Sequence, residues 1–258
     1  MVQSSSCSLE GSFGARTSTR IVGFDELIGG GFPPGRVILL LGEPGAGKTI
    51  FCSQFLLNGF RKFGEKGIFV SMDETKGQFV REMEVFGWDF LSAEKEGCFR
   101  FIDASPLRSV PADVKVGRFA IGKQDFTLMS LLAVLRDNVE KWGATRIVLD
   151  PMSLWLSLYP NDAERRRALI ALVRSLSETQ ATCLLSSELR RVGMMGRTLQ
   201  VEEYLTHGVV LMQTVPMGRT LERTIQVEKM RETKVDRQPR PYRITENGIE
   251  VYPTESVI

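Results

Sequence analysis

The sequence is short of the residues that build metal centres and disulfide frameworks. It has a single histidine and four cysteines, at positions 7, 52, 98 and 183, and no two of these cysteines form a C-x-x-C pair. Cysteines this far apart argue against both a zinc cluster and a disulfide-stapled fold. The single histidine, His207, likewise argues against a Ser-His-Asp hydrolase.

Charge of one sign and long apolar runs are lacking as well. The net charge is +2, so the composition indicates no general affinity for nucleic acid or another polyanion. No apolar run approaches the roughly 20 residues that cross a bilayer, and the N-terminus lacks the charged-then-apolar order of a signal peptide. With 43% hydrophobic and 25% charged residues, the composition is that of an ordinary globular domain. We therefore expect a cytoplasmic protein with no membrane segment.

What the sequence does contain is a phosphate loop. An apolar run at 37–41 predicts a buried strand, the pattern G-x-x-x-x-G-K-[ST] follows at 42–49, and residues 50–57 have the apolar spacing of a helix packed on a sheet. Glycines let the backbone wrap a phosphate, and the helix N-terminus adds partial positive charge. Lys48 is expected to bridge the β- and γ-phosphates, and the Thr49 hydroxyl to bind Mg²⁺. The predicted nucleotide contacts are Glu43, Pro44, Gly45, Ala46, Gly47, Lys48, Thr49 and Ile50.

The remaining patterns predict one α/β domain at 19–258 behind a Ser-, Thr- and Gly-rich tail at 1–18. Further strands are predicted at 67–72, 99–103, 146–150, 182–188, 208–213 and 224–228, helices at about 77–86, 125–142 and 162–179, and a hairpin at 242–252 with an Asn247-Gly248 turn. Residues 104–124 resemble a long excursion and 190–207 a mobile basic loop. This order predicts a largely parallel sheet with an antiparallel edge.

Carboxylates lie at the ends of two predicted strands. Asp150 ends one of them, and Asp73 and Glu74 follow another. Ligands of open α/β sheets bind beyond the carboxyl ends of the strands, so Asp150 is expected to orient Mg²⁺ and its waters. Successive side chains point to opposite faces, and we assign the general base to Glu74, with Asp73 supporting it through the metal or its waters. The alternatives are a strand-end cap for Asp150 and a helix N-cap for the pair.

Motifs beyond the phosphate loop extend over about residues 19–253. They are the segment Gly23-Phe24-Asp25-Glu26-Leu27-Ile28-Gly29-Gly30-Gly31-Phe32-Pro33-Pro34-Gly35, the acids at 73–74, Ser186-Ser187-Glu188, Val227-Glu228-Lys229-Met230-Arg231 and the final hairpin. Jointly they resemble the KaiC branch of the RecA-like ATPases, with one such domain in this chain. The resemblance implies a RecA-like P-loop NTPase fold, ATP and Mg²⁺ as ligands, and a homo-oligomeric ring, usually of six subunits, with ATP held between neighbours.

The resemblance also implies that Lys229 and Arg231 reach the γ-phosphate of ATP bound by the adjacent subunit. A planar, permanently charged guanidinium suits a phosphoryl group that gains charge in the transition state; the alternative is an ordinary charged strand edge. The sequence departs from the family pattern at two points. Asp73 stands where Glu is usual, which leaves the efficiency of hydrolysis open. Glu203 and Tyr204 occupy the positions of the phosphorylated Ser and Thr of the clock protein that names the family, so autokinase activity is not expected.

Three functions are compatible with these patterns. The first is an ATPase or ATP-driven switch that acts on a protein partner. The second is a recombinase paralogue that binds single-stranded DNA through residues 152–162 and 190–207. The basic and aromatic side chains there are Arg190, Arg191, Arg197, Trp155 and Tyr159. The third is a nucleotide-binding scaffold with negligible turnover. The small net charge favours the first function over the second.

Overall fold

Strands and helices alternate along the described part of the chain. The computed structural model describes residues 16–105, 120–121, 124–125, 128–159, 161–192, 196–217 and 220–256. The strands are β1 (Val37–Gly42), β2 (Lys66–Ser71), β3 (Phe99–Asp103), β4 (Ala120–Ile121), β5 (Gln124–Asp125), β6 (Ala144–Asp150), β7 (Thr182–Glu188), β8 (Arg191–Val192), β9 (Gly196–Arg197), β10 (Gly208–Met217), β11 (Thr220–Met230), β12 (Arg240–Thr245) and β13 (Gly248–Val251). The helices are α1 (Phe24–Leu27), α2 (Lys48–Phe63), α3 (Lys76–Glu84), α4 (Phe90–Lys95), α5 (Leu128–Asp137), which continues as a π-helix (Asn138–Trp142), α6 (Met152–Leu156), α7 (Asp162–Glu178) and α8 (Val201–Leu205).

A nine-stranded sheet organises these elements. Its strand order is β13-β12-β11-β10-β1-β7-β6-β2-β3. The strands from β10 to β3 in this order run parallel, and β11, β12 and β13 pair antiparallel at one edge. The predicted fold, a mostly parallel sheet with antiparallel C-terminal strands, is confirmed. The carboxyl ends of β1, β7, β6 and β2 therefore meet at one edge of the sheet.

Apolar side chains cover both faces of this sheet. Alternate residues of a strand point to opposite faces, so Ile38 and Leu40 of β1 belong to an apolar cluster with residues of α2, α3 and α4, whereas Leu39 and Leu41 belong to a second cluster with residues of α5 and α7. Burial on both faces explains why β1 is a continuous apolar run. The helices cover the faces and leave the carboxyl edge of the strands open for a site.

The helix predicted at 125–142 begins later than expected. It starts at Leu128, and its last turn is π-helical. Met129 in its first turn is 71% exposed, whereas Leu131 is buried. Apolar residues occupy most positions of this helix, so the sequence spacing does not choose between adjacent faces. Residues 126 and 127 of the predicted helix lie outside the described residues.

The segment at 190–207, predicted as a mobile loop, contains regular structure. Strands β8 and β9 pair antiparallel, and α8 follows them. A helix of five residues is not stable by its own propensity, so local sequence carries little signal for it, and contacts with distant residues hold it in place. Residues 193–195 of this segment lie outside the described residues.

The final hairpin turns one residue earlier than predicted. Thr245 pairs with Gly248, so Glu246 and Asn247 form the turn instead of Asn247 and Gly248. Gly248 has a φ of 105°, and a Cβ on it would lie 2.7 Å from Oε1 of Gln54. The glycine is therefore needed for a left-handed backbone and a close contact at the start of β13.

The start of the described chain packs on the domain. Thr17, which the predicted tail included, pairs with Phe32, and Nη2 of Arg16 donates to the Ile28 carbonyl at 3.0 Å. Residues 1–15 of the predicted tail lie outside the described residues, as does most of the excursion predicted at 104–124. No helix within the described ranges is long and apolar enough to cross a membrane.

Candidate active site

The phosphate loop joins the last residue of β1, Gly42, to the first residue of α2, Lys48. Gly45 and Gly47 have φ values of 76° and 88°, in the left-handed region that glycine adopts at no steric cost. Gly42 is needed for another reason, because a Cβ on it would lie 2.9 Å from the Met212 carbonyl oxygen. Two glycines thus set the turn of the loop, and the third admits the close approach of β10.

The Lys48 side chain folds onto the loop that carries it. Its Nζ donates to the carbonyl oxygens of Gly42 at 2.9 Å and Glu43 at 3.0 Å. Burial lowers the pKa of Lys48, and the negative charges of Asp150 and Glu188 oppose that effect. Triphosphate oxygens would replace these carbonyls with stronger, charge-assisted hydrogen bonds.

Asp150 joins three elements at the carboxyl edge of the sheet. Its Oδ2 accepts a hydrogen bond from the Thr49 hydroxyl of α2 at 2.6 Å, and its Oδ1 accepts one from the Ser186 hydroxyl of β7. The side chain is 5% exposed. Burial raises the pKa of Asp150, while the two hydroxyl hydrogen bonds lower it. Ser186 belongs to the family motif, but its contact with Asp150 depends on the pairing of β6 with β7, which sequence reasoning did not supply.

This donor set fits a magnesium ion. A buried carboxylate and a hydroxyl are hard oxygen ligands, and Mg²⁺ is bound by one or two carboxylates together with waters and substrate phosphates. The described residues contain no group of three or more His, Cys, Asp or Glu side chains placed to hold a metal. Thr49 and Asp150 would therefore hold the ion only with oxygens from phosphate and water.

Glu74 and Asp73 follow β2 at the same edge. The Glu74 N–H donates to the Ser71 hydroxyl at 2.8 Å, and Ser71 lies opposite Asp150 in the pairing of β2 with β6. Burial raises the pKa of Glu74 to about 7, and the charges of Glu82, Asp73 and Asp150 also raise it. The structure thus brings the predicted base into the electrostatic field of the predicted metal ligand.

Helix α3 does not use these acids as its N-cap. Its N-cap is Thr75, whose hydroxyl accepts from the Gln78 N–H. Asp73 is exposed, whereas Glu74 is partly buried, in keeping with side chains that alternate in direction. The helix-cap alternative for the pair does not apply.

The C-terminal hairpin closes one side of the phosphate loop. The Tyr242 hydroxyl donates to the Ala46 carbonyl at 2.5 Å, and a Cβ on Gly47 would lie 2.8 Å from Cδ1 of Ile244. A cavity of about 540 Å³ lies beside it, with Arg223 of β11 in its lining. Sequence reasoning missed this cavity, since it depends on how β11 and β12 pack beside the loop.

Lys229 and Arg231 lie towards the amino ends of the parallel strands, away from the phosphate loop. Lys229 pairs with Val209, which pairs with Leu39, three residues before the loop begins at Gly42, or about 10 Å along a strand. Its Nζ donates to carbonyl oxygens of its own chain, and burial together with Arg231 lowers its pKa. Arg231 is exposed. The structure does not bring this pair to the phosphate loop of its own subunit.

The residues considered for DNA binding are only partly available. Trp155 is 3% exposed, and its ring packs on Tyr159 at a centroid distance of 5.2 Å. Arg197 is paired with Glu203 at 2.6 Å. Arg190 is exposed, and the Arg191 side chain lies outside the described residues.

Comparisons with known proteins identify the family of this chain. The family model described as "ATPase: KaiC" matches residues 17–256. The circadian clock oscillator protein KaiC of Synechococcus elongatus is 33% identical over 240 residues, which are 93% of this chain and 44% of that protein. KaiC of Nostoc is 31% identical, and the match again covers 44% of that protein. The chain thus spans less than half the length of these clock proteins.

Two single-domain archaeal proteins match over nearly their whole length. The UPF0273 protein PH0284 of Pyrococcus horikoshii is 35% identical, with 92% of this chain and 94% of that protein covered. The crystal structure of the KaiC-like protein PH0186 of Pyrococcus horikoshii superposes with a TM-score of 0.77 at 33% identity, covering 93% of this chain and 99% of that one. The chain belongs to the KaiC ATPase family.

Proposed function

We propose that this protein binds ATP with Mg²⁺ and hydrolyses it at sites shared between neighbouring subunits of a ring. The arrangement around Asp150 carries this proposal. Hydroxyls from the phosphate-loop helix and from β7 converge there on one buried carboxylate, beside Lys48. Such an arrangement is suited to a metal-bound triphosphate.

Each residue of the site has a distinct task. Lys48 exchanges the carbonyls of its own loop for oxygens of the β- and γ-phosphates, and Thr49 and Asp150 hold the metal. The metal, when bound, neutralises charge on the phosphates. Glu74 has a pKa of about 7, so it can accept the proton of the attacking water near neutral pH. Asp73 supports Glu74 through the metal or its waters.

We place the nucleoside in the cavity beside the hairpin. This cavity adjoins the strand whose Tyr242 hydroxyl holds the loop carbonyl of Ala46. Its volume of about 540 Å³ falls within the range of small-molecule sites. The Arg223 guanidinium in its lining can stack on the face of a base.

The site needs a second subunit. Arg231 is exposed and lies near the amino end of β1, whereas its own phosphate loop follows the carboxyl end of that strand. In a ring it would reach the γ-phosphate held by the neighbour and stabilise the charge that develops during transfer. We propose a hexameric ring whose nucleotide state acts on a protein partner.

Phosphate release from ATP with and without Mg²⁺ tests the activity. Lys48→Ala should abolish nucleotide binding, and unchanged affinity would contradict the assignment of the phosphate loop. Glu74→Gln should bind ATP but not turn it over. Glu84→Gln removes an exposed carboxylate from the nearby helix α3 and serves as the matched control with normal turnover. Mass in solution with and without ATP would determine the number of subunits.

Mixing subunits tests whether Arg231 acts across the interface. Arg231→Ala and Glu74→Gln rings should each be inactive, and mixed rings should regain some sites that contain both wild-type residues. Absence of recovery in verified mixed rings would contradict action across the interface.

A further inference from the structure

A carbonyl of the phosphate loop is held by the C-terminal hairpin. The Tyr242 hydroxyl of β12 donates to the Ala46 carbonyl at 2.5 Å, and both residues are 2% exposed. The Tyr242 ring belongs to the apolar core, which a phenylalanine ring would fill equally well. Burial raises the pKa of Tyr242, so the hydroxyl keeps its proton and remains a donor at neutral pH. Packing thus explains the ring of Tyr242 but not its oxygen.

The peptide unit that contains this carbonyl also contains an N–H of the phosphate loop. The Ala46 carbonyl and the Gly47 N–H belong to one planar trans peptide, so they point in opposite directions. Because the carbonyl faces the hairpin, the Gly47 N–H points away from the hairpin. Gly47 is the N-cap of α2, and backbone N–H groups at this place in a phosphate loop cradle the phosphates.

Gly47 does not fix this orientation by itself. Its φ is 88°, and glycine adopts negative φ about as readily as positive φ. A half-turn of the peptide reverses the sign of φ and would aim the Ala46 carbonyl where the N–H now points. No larger residue can restrict φ here, because a Cβ at position 47 would lie 2.8 Å from Cδ1 of Ile244. The hydrogen bond from Tyr242 therefore selects one of two orientations that the backbone allows.

The hairpin that carries Tyr242 is fixed to the helix that follows the loop. Oε1 of Gln54 in α2 accepts from the Ile249 N–H at 2.8 Å, and Nε2 of Gln54 donates to the Ile249 carbonyl at 3.3 Å. Both residues are buried, and Ile249 pairs with Ile244 across the hairpin. The amide of Gln54 thus keeps the hairpin, and with it the tyrosine hydroxyl, in place beside the loop.

We infer that Tyr242 is a positioning residue for nucleotide binding, whose hydroxyl holds the Ala46 carbonyl against the hairpin and thereby aims the Gly47 N–H at a phosphate. The inference rests on the proposed function, because it takes the loop as the site of the triphosphate. Tyr242 also lines the cavity in which we place the nucleoside. The effect that we infer acts on the phosphates and is independent of the nucleoside.

Tyr242→Phe removes only the hydroxyl and tests this role. An N–H that holds a phosphate before and during transfer contributes uniform binding, so its loss should raise KM and leave kcat nearly unchanged. We expect a rise of about tenfold in KM for ATP and in Kd for inorganic tripolyphosphate with Mg²⁺. A rise for ATP alone would assign the effect to the nucleoside and refute the inference. An unchanged KM, or a loss confined to kcat, would refute it as well.

Tyr252→Phe is the matched control, since it removes a hydroxyl just after β13. The Tyr252 ring lies 5.7 Å from the Arg243 guanidinium, a contact that phenylalanine retains. This variant should leave KM and the Kd of tripolyphosphate unchanged, and a rise equal to that of Tyr242→Phe would contradict the inference. Wild-type protein that binds neither ATP nor tripolyphosphate would instead contradict the proposed function, so the two failures are distinguishable.

Gln54→Met tests the same role without changing Tyr242 or the loop. It keeps the length of the side chain and removes both hydrogen bonds to Ile249, so the hairpin should loosen and KM should rise, by less than in Tyr242→Phe. In the double variant the hydroxyl is already absent, so Gln54→Met should add nothing to the rise. Thermal melting verifies that each variant is folded. An unchanged KM in Gln54→Met, or rises that multiply in the double variant, would overturn the inference.

Discussion

The pKa of Glu74 should determine how activity falls below neutral pH. Burial raises this pKa to about 7, and the charge of Glu82 is the next largest contribution. A carboxyl with that pKa is about half ionised at pH 7 and about one-tenth ionised at pH 6. If Glu74 accepts the proton of the attacking water, kcat/KM should fall about tenfold for each pH unit below 7.

Removing the charge of Glu82 should shift the acid limb of the profile, which is the fall of kcat/KM below pH 7, to lower pH. A like charge disfavours ionisation, so Glu82→Gln should lower the pKa of Glu74 and shift the limb to lower pH. Glu82 is exposed, and solvent screens its effect. We therefore expect a modest gain at pH 6, about two- to threefold in kcat/KM over wild type.

The assay is phosphate release at constant ionic strength over the range from about pH 5.5 to 8.5. ATP itself titrates in this range and affects the shape of every profile. The decisive measurement is therefore the shift along the pH axis between the profiles of the variants and that of wild type. Glu84→Gln removes a carboxylate from the same helix that is not among the charges raising the pKa of Glu74. Identical profiles for Glu82→Gln and Glu84→Gln, or a shift of the Glu82→Gln profile to higher pH, would contradict the assignment of Glu74 as the base.

Three further predictions concern stability. Glu74 loses its proton near pH 4.5 in the unfolded chain and near pH 7 in the folded chain, so the folded protein loses stability as the pH rises through this window. At pH 8 the free energy of unfolding of Glu74→Gln, measured with urea, should therefore exceed that of wild type. We expect a difference of about 1 kcal/mol, since solvent screens this partly exposed group. Burial and neighbouring cations lower the pKa of His207 below 6.5. As the pH falls, His207 is therefore protonated in the unfolded chain at a higher pH than in the folded chain, which favours unfolding. Below pH 6.5 the free energy of unfolding should fall more steeply for wild type than for His207→Gln. A Cβ on Gly59 would lie 2.6 Å from Nε of the buried Arg146, so Gly59→Ala should destabilise the fold by about 2 kcal/mol in the same urea assay.

Features set by adjacent residues could be predicted from the sequence. The phosphate loop is a continuous strand, turn and helix, and each part has its own local pattern. The position of Asp150 after an apolar run was equally local, and the parallel order of the sheet followed from the alternation of strands with helices. These predictions needed no knowledge of which strands are neighbours.

Features set by distant residues could not be predicted. The contact of Ser186 with Asp150 requires β7 to lie beside β6. Helix α8 is too short for a periodic signal, and its C-terminal carbonyls are held by Lys229 from β11. Pattern reasoning therefore assigned this segment to a mobile loop.

The pairing of the strands has a consequence for assembly. The phosphate loop begins at Gly42 at the carboxyl end of β1, whereas the Arg231 N–H donates to the carbonyl of His207, whose own N–H donates to the Val37 carbonyl at the start of β1. One sheet thus carries the two halves of the proposed site at opposite ends of its strands. When the loop of one copy contacts the arginine of the next through two different surfaces, the contact is heterologous and repeats from copy to copy. Such contacts close into a ring when the rotation between copies allows it and otherwise extend as a filament. The separation of Arg231 from its own phosphate loop is thus compatible with the ring that we propose.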